Sequence, residues 1–347
     1  MFNFSALSIP LIQAPMAGGP NTPEMISTVA NSGGVGSYGF AYSTPEKIDN
    51  DLRAASDLRA TSKPGAVNVN FFVFSAVEAP SPDELEGAIE ALNDASDLGE
   101  IMFTIPKPPF FPDLEKQLEP VWDHKPEILT FHLGLPDPQI VEKAHSLGIA
   151  VGMSATCSDE AKAVEAAGAD FIVAQGIEAG GHRGIFDIKN DDEALSVYEL
   201  VSVLSTNVGL PVVAAGGIST REDVVRALDC GATAVQLGTL FLTTQESGAS
   251  PAHKRYLLNE TARESTFTFG FSGRPARGID NKFIQSMKSK STLEFPLQNT
   301  LTAGLRSAAA KEDNGETQSL WAGANFRHCR EESIDDLIKR LFDLRAR

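Results

Sequence analysis

The chain has 347 residues, with 29 Lys or Arg against 46 Asp or Glu and a formal net charge of −17. That balance argues against nucleic acid or an anionic membrane as partner, since both reward Lys/Arg clusters, and the length suits one large α/β domain with an insertion, or two domains. Cys157, Cys230 and Cys329 are widely spaced, with no CxxC or His/Cys cluster. They fit reduced thiols rather than a metal site, and with no basic leader or membrane-length apolar run the chain reads as soluble and cytoplasmic.

In chain order, Ile12 to Met16 is a short apolar strand ending in the turn Ala17-Gly18-Gly19-Pro20. Thr22-Pro23-Glu24 then opens a helix, with Thr22 as N-cap and Pro23 at its first position, which should stop at Ser32-Gly33-Gly34. Val35 to Tyr38 is the second strand, and Thr44-Pro45-Glu46 repeats the helix-start pattern. Ala66 to Phe72 is the third, followed by a helix from Ser81-Pro82-Asp83-Glu84. The segment 99–126, containing Ile105-Pro-Lys-Pro-Pro-Phe-Phe-Pro112, reads as a rigid loop because its prolines forbid regular structure there. Further strands are expected at Ile128–His132, Ile149–Ser154, Phe171–Ala174, Pro211–Ala215 and Ala234–Leu237. The helices between them are expected at Asp137–Ser146, Asp159–Ala167, Asp192–Ser205 and Thr220–Leu228.

Strands that alternate with helices imply parallel strands joined by right-handed crossovers. Eight such units favour a closed (β/α)8 TIM barrel over an open sheet, and no G-x-G-x-x-G follows the first strand. After Thr239 the rhythm breaks: His253 to Thr261, 297–312 and 333–345 read as helices, while Phe267 to Arg277 is rich in Gly, Phe and Arg. The expected division is a barrel over 1–245, an inserted, mainly helical lid or substrate domain over 246–331, and a C-terminal helix, 332–347, returning to the barrel wall.

In such a barrel the site lies at the carboxyl ends of the strands. The sixth strand empties there into Gln175-Gly-Ile-Glu-Ala-Gly-Gly-His-Arg-Gly184, a glycine-rich loop carrying a histidine that can relay a proton. Gly216-Gly217 and Gly238-Thr239 follow the seventh and eighth strands, and their backbone N–H groups form a phosphate site that Gly180 and Gly181 could complete. Asn68 and Asn70 share one strand face, and with Gln175 they offer amides to a heteroaromatic ring. His132 ends the fourth strand, and a structural role suits it as well as a catalytic one. Glu178 and Arg183 read as a local ion pair, and His124, His145, His253 and His328 are given no role.

Phosphate turns at the strand seven–eight edge and amides deeper in the mouth describe a flavin mononucleotide (FMN) site. Here the chain resembles the nitronate monooxygenases, formerly 2-nitropropane dioxygenases, and specifically their class I group. The matching stretches are Gln13-Ala-Pro-Met-Ala-Gly-Gly19, Asn68-Val-Asn-Phe-Phe72, Phe131-His-Leu-Gly-Leu-Pro136 and Glu178-Ala-Gly-Gly-His-Arg-Gly184. Ala214-Ala-Gly-Gly-Ile218, Gln236-Leu-Gly-Thr239 and Leu320-Trp-Ala-Gly323 complete them. The resemblance implies FMN held by Ala14, Pro15, Met16, Asn70 and Gln175, with Gln236 and Leu237 beside it. It implies phosphate contacts at Gly180, Gly181, Gly216, Gly217, Gly238 and Thr239. His182 matches the family's active-site histidine, expected to titrate near neutrality, and His132 a second histidine of class I. The loop after the third strand, where this group often carries a tyrosine near the flavin, shows Phe110 and Phe111 instead.

The implied reaction is oxidation of an anionic alkyl nitronate, such as propionate 3-nitronate, by one-electron transfer to FMN and reaction with O2. A carbonyl compound and nitrite result, without NAD(P)H. The rival readings are an FMN-dependent NAD(P)H reductase of the enoyl-thioester or quinone type, a barrel isomerase or aldolase acting on a sugar phosphate, and a non-catalytic flavin-binding protein. The oligomeric state is left open.

Overall fold

The computed structural model describes residues 2–60, 65–95, 103–260 and 262–342. Among the described residues eleven strands run in chain order: β1 (Leu11–Gln13), β2 (Val35–Gly39), β3 (Ala66–Phe72), β4 (Ile128–His132), β5 (Ala150–Ala155), β6 (Phe171–Gln175), β7 (Gly181–His182), β8 (Val212–Ala215), β9 (Ala234–Leu237), β10 (Ser265–Thr268) and β11 (Ala276–Ile279). Eight of them close a parallel barrel in the order β1-β2-β3-β4-β5-β6-β8-β9. The closing seam pairs Ile12 with Gln236, and the Ala14 N–H donates to the Leu237 carbonyl at 2.8 Å. The first strand ends at Gln13 rather than Met16, because the Met16 N–H turns to the Asn21 side chain at 2.6 Å.

Around the barrel run α1 (Pro23–Asn31), α2 (Pro45–Leu58), α3 (Pro82–Ala95), α4 (Leu114–His124), α5 (Pro138–Ser146), α6 (Ser158–Ala166), α7 (Val197–Asn207) and α8 (Arg221–Asp229). Thr22 and Thr44 cap α1 and α2 through their hydroxyls, each with a proline at the start of the helix. Between β3 and β4 the chain makes two helices where one was expected. The segment read as a loop contains α4, because the prolines of residues 106–112 end before Asp113, which caps the helix and lets Leu118 and Val121 face inward. It is α4 that packs on α2 in the barrel wall, whereas α3 packs on a later part of the chain. Helix α7 starts at Val197 and not Asp192, since Ser196 and Glu199 form a capping box.

Alternation along the strands divides the core in two. Val67, Val69, Phe71, Leu129, Phe131, Val151 and Ile172 point out to the helices. Ile12, Val35, Ala66, Ile128, Phe171, Val213 and Ala234 fill the barrel interior at its amino end, where Phe4 packs edge-on against Phe171 at 5.2 Å. A Cβ on Gly152 would come within 2.2 Å of the Phe171 ring, so glycine there makes room for the plug. Above the plug the inward residues turn polar, which opens the carboxyl end of the barrel.

Beyond β9 come α9 (Pro251–Asn259), the hairpin β10–β11, α10 (Lys282–Ser286), α11 (Leu297–Leu301), α12 (Ala303–Lys311) and α13 (Ile334–Phe342). This part is not only helical. The strands β10, β11 and β7 form a separate antiparallel sheet, with Ala276 opposite His182 and Arg277 opposite Gly181. Phe271, Phe283, Met287, Leu297 and Leu305 make a second apolar core with Ala88 and Leu92 of α3. Helix α13 lies against α8 and α1. The expectations that fall at 99–102, at Thr261 and at 343–345 lie outside the described residues.

Candidate active site

A cavity of about 590 Å³ opens at the carboxyl end of the barrel and continues beneath α9, α12 and the segment 318–326. Of the residues expected at the site, all but Asn68 line it: Ala14, Pro15, Met16, Asn70, His132, Gln175, Gly180, Gly181, His182, Gly216, Gly217, Gln236, Leu237, Gly238 and Thr239.

The floor is a hydrogen-bonded polar layer. Asn68 donates to the Ser37 hydroxyl at 3.1 Å and accepts from Thr130 at 3.1 Å, while Asn70 donates to the Thr130 hydroxyl at 3.0 Å. Asn68 thus finds its partners within the protein and does not line the cavity, whereas Asn70 does. The Gln175 amide donates to the His182 carbonyl at 2.9 Å and accepts the Gly184 N–H at 2.7 Å. It splints the loop as well as lining the cavity.

The glycine turns form the rim. Gly216 and Gly217 have φ of +120° and +66°, conformations that side chains disfavour, and a Cβ on Gly217 would lie 2.7 Å from the Glu178 Cβ. A Cβ on Gly180 would lie 2.6 Å from the Ala322 backbone. The rim is tied to the late segment 318–326: Gly323 N–H donates to the Thr239 hydroxyl at 3.0 Å, and Asn325 donates to the Gly217 carbonyl at 2.5 Å. No carboxylate lines the cavity among the described residues. A phosphate dianion would meet backbone donors and no opposing charge, so these residues fit the phosphate end of FMN.

His182 is placed by three elements. Its backbone is in β7, paired to β11 of the later segment, and the next N–H, of Arg183, donates to the Pro275 carbonyl at 2.8 Å. Its ring lies among Phe72, Phe295 and Trp321, at centroid distances of 5.6, 5.3 and 5.8 Å. Its Nε2 is buried with no hydrogen-bond partner. Burial foremost, then His132 and the cations Arg274 and Arg306, pushes the imidazole down to about 3. The expectation of a ring tuned near neutrality is therefore corrected: His182 is neutral far into the acid range, because the aromatic wall excludes the water that would solvate an imidazolium.

His132 has both nitrogens engaged. Nδ1 lies 2.5 Å from the Ser154 hydroxyl and Nε2 lies 3.1 Å from the His182 carbonyl, to which it donates. Burial lowers it to about 4. Arg183, fully buried, does not pair with Glu178. It makes a bidentate pair with Asp192 at 2.8 Å and donates to the Gln175 carbonyl, while Glu178 accepts the Val197 N–H at 3.0 Å. The reason is geometric: the two side chains leave opposite sides of the loop, one toward the 187–194 turn and one toward α7.

Several lining residues escaped the sequence reading. Phe110 joins the second core and Phe111 stacks on Phe74 at 5.1 Å, so the loop after β3 brings no phenol to the cavity. A phenol comes instead from the loop after β2: Tyr42, whose ring meets Phe72 and Phe74. The strand-end rule could have found Tyr42, three residues beyond β2. Arg306 and Asn299, from α12 and α11, carried no signal. His253 also lines the cavity and holds the Trp321 carbonyl at 3.0 Å.

The nitronate monooxygenase family profile matches residues 3–343. A probable nitronate monooxygenase of Bacillus subtilis is 34% identical over 339 residues, 97% of this chain and 96% of that protein. One from Staphylococcus haemolyticus is 33% identical over 97% of this chain and 94% of its own length. Among solved structures, the nitroalkane oxidase of Streptomyces ansochromogenes superposes with a TM-score of 0.89 at 33% identity, covering 97% and 95% of the two chains. FabK of Thermotoga maritima, at 23% identity and a TM-score of 0.74 over 97% and 93%, shares the fold.

Proposed function

The chain belongs to the nitronate monooxygenase family of flavin-dependent oxidoreductases, and from that premise we propose that it oxidises alkyl nitronates with O2 to carbonyl compounds and nitrite, using FMN and no NAD(P)H. The observation that carries this reading is the buried, unpartnered Nε2 of a neutral His182 on the wall of a cavity without carboxylates. FMN, when bound, would supply the one-electron redox chemistry; the glycine turns would hold its phosphate, with Ala14 to Met16, Asn70 and Gln175 along the ring.

His182 would hydrogen-bond a nitro oxygen or, for a neutral nitroalkane, accept the α-proton at Nε2. At rest it is a poor base, since burial and two arginines oppose its protonation. Proton transfer becomes feasible only because the nitronate formed beside it stabilises the imidazolium. A preformed nitronate needs no such step, so the geometry favours the anion as substrate. The Streptomyces protein's description as a nitroalkane oxidase makes neutral nitroalkanes the second substrate to try. His132, with both nitrogens spent, acts in this reading as a positioning residue that fixes the His182 backbone. The division into a barrel over 1–245, a covering segment over 246–331 and a terminal helix over 332–347 belongs to the same proposal, the covering segment keeping the cavity dry.

The test is nitrite release under air from propionate 3-nitronate and from simple alkyl nitronates, with anaerobic mixing with NADH as its counterpart. Nitrite without NAD(P)H, and a flavin that NADH leaves oxidised, is the expected result. Rapid bleaching by NADH with no nitrite from any nitronate would overturn it in favour of the reductase reading.

A further inference from the structure

Among the described residues Arg306 is the only formally charged side chain lining the cavity, given that its histidines are neutral. Its guanidinium is held by neutral acceptors alone: Nε donates to the Thr302 hydroxyl at 3.2 Å, and Nη2 to the carbonyl and side-chain oxygens of Asn299 at 2.7 and 2.9 Å. Among the described residues no carboxylate pairs with it, and Nη1 has no protein acceptor. Tyr42 lines the same cavity with its ring against Phe72 and Phe74, it and Arg306 interact electrostatically, and among the described residues its hydroxyl has no protein partner. A partly buried cation, its pKa lowered by desolvation, with two N–H bonds to spare and no carboxylate beside it, carries a cost that an anion would offset. The glycine turns that fit the cofactor phosphate follow β6, β8 and β9, whereas Arg306 is on α12, far beyond β9 in the chain.

We infer that Arg306 and Tyr42 form a subsite for a second anionic group of the substrate, remote from the carbon that is oxidised, and that Arg306 determines specificity for such dianions. The proposal rests on the nitronate reading for the reacting end of the molecule, but not for the subsite. With Nε and Nη2 spent on Thr302 and Asn299, Arg306 offers the two N–H bonds of Nη1 and its positive charge to a carboxylate, and Tyr42 a further donor. Arg306 and His182 line the same cavity, as the two ends of one small molecule require.

The experiment compares wild type with R306M and R306Q on propionate 3-nitronate and on propyl-1-nitronate. The ratio of the two kcat/KM values should fall about 10- to 100-fold, the worth of a charge-assisted pair. R306K should keep most of the preference, and Y42F should lower it several-fold. A ratio that does not move, whether both substrates lose equally or neither does, overturns the subsite: an arginine gripping the nitro group itself gives equal losses. Calorimetric titration of the holoprotein with succinate, an inert dianion of matching shape, and with butyrate keeps the test independent of turnover. Succinate should bind wild type more tightly than butyrate and fall to its level in R306M. If neither nitronate yields nitrite, the oxidation reading fails while this arm still decides; equal binding of the two acids to wild type overturns the subsite. Should R306M and R306Q be recovered unfolded, the Y42F arm decides on the same two ratios.

Discussion

At the scale of residues, the chemistry depends on imidazoles kept uncharged. His182 is a free neutral ring because three aromatic neighbours exclude water and two arginines raise the cost of protonation. His132 is neutral for the same reason, but its nitrogens are committed to Ser154 and the His182 carbonyl. The two histidines are thus unequal, although both were candidates for catalysis. Replacing His182 with Asn should cut turnover of a neutral nitroalkane by about 10²- to 10⁴-fold, the range of general base catalysis, and that of the preformed nitronate far less. Steady-state nitrite release on both substrates checks this, and equal losses would remove the base role. In the free enzyme acidification to pH 5 should leave His182 uncharged, so a fall in kcat/KM on a preformed nitronate between pH 7 and pH 5 would have to arise elsewhere.

At the scale of elements, the active loop is held from both sides. Pairing of β7 with β11 zips the His182 backbone to a segment nearly a hundred residues later, as the register of Ala276 with His182 records. On the other side Arg183, its side chain 2% exposed, is clamped by Asp192, whose side chain is 26% exposed. Cutting that clamp at Asp192 leaves a buried guanidinium uncompensated. We expect Asp192→Ala to destabilise the protein by about 3 kcal/mol, the lower end for a broken buried pair because the carboxylate is partly hydrated. Urea unfolding measures it, and a change within 0.5 kcal/mol, the spread of ordinary surface substitutions, would show that the clamp contributes little. The helix-start signals at Thr22-Pro23 and Thr44-Pro45 were legible because capping is local. The exchange of roles between α3 and α4 was not, since which helix lies on the barrel depends on what else is there to cover.

At the scale of the whole molecule, three histidines with lowered proton affinity couple stability to pH. His132, His182 and His253 are lowered to about 4, 3 and 4, below the ordinary histidine value of 6.5. The unfolded chain therefore binds more protons than the native one between those values, and stability rises with pH across that window. It is fully present above pH 6.5 and is lost as the pH falls toward 4, each histidine contributing at most about 1.4 kcal/mol per pH unit. Urea midpoints measured from pH 7 to pH 4.5 should fall steadily; a flat profile would mean that these rings titrate normally.

The barrel and the rim of its site were determined by the sequence alone, because strand–helix alternation, caps and glycine turns are written in neighbouring residues. Gly216-Gly217, Gly238-Thr239 and His182 could be placed at one rim from topology, since parallel strands bring all their carboxyl ends together. Only the tertiary structure decided what surrounds that rim. The aromatic wall that neutralises His182, the Asp192 partner of Arg183, and the meeting of Tyr42 with Arg306 join residues far apart in the chain. No local pattern encodes such pairings, because they depend on how residues beyond β9 pack around the carboxyl end of the barrel. Burial and charge pairing, the terms that set proton affinity and anion selectivity, are properties of that three-dimensional enclosure.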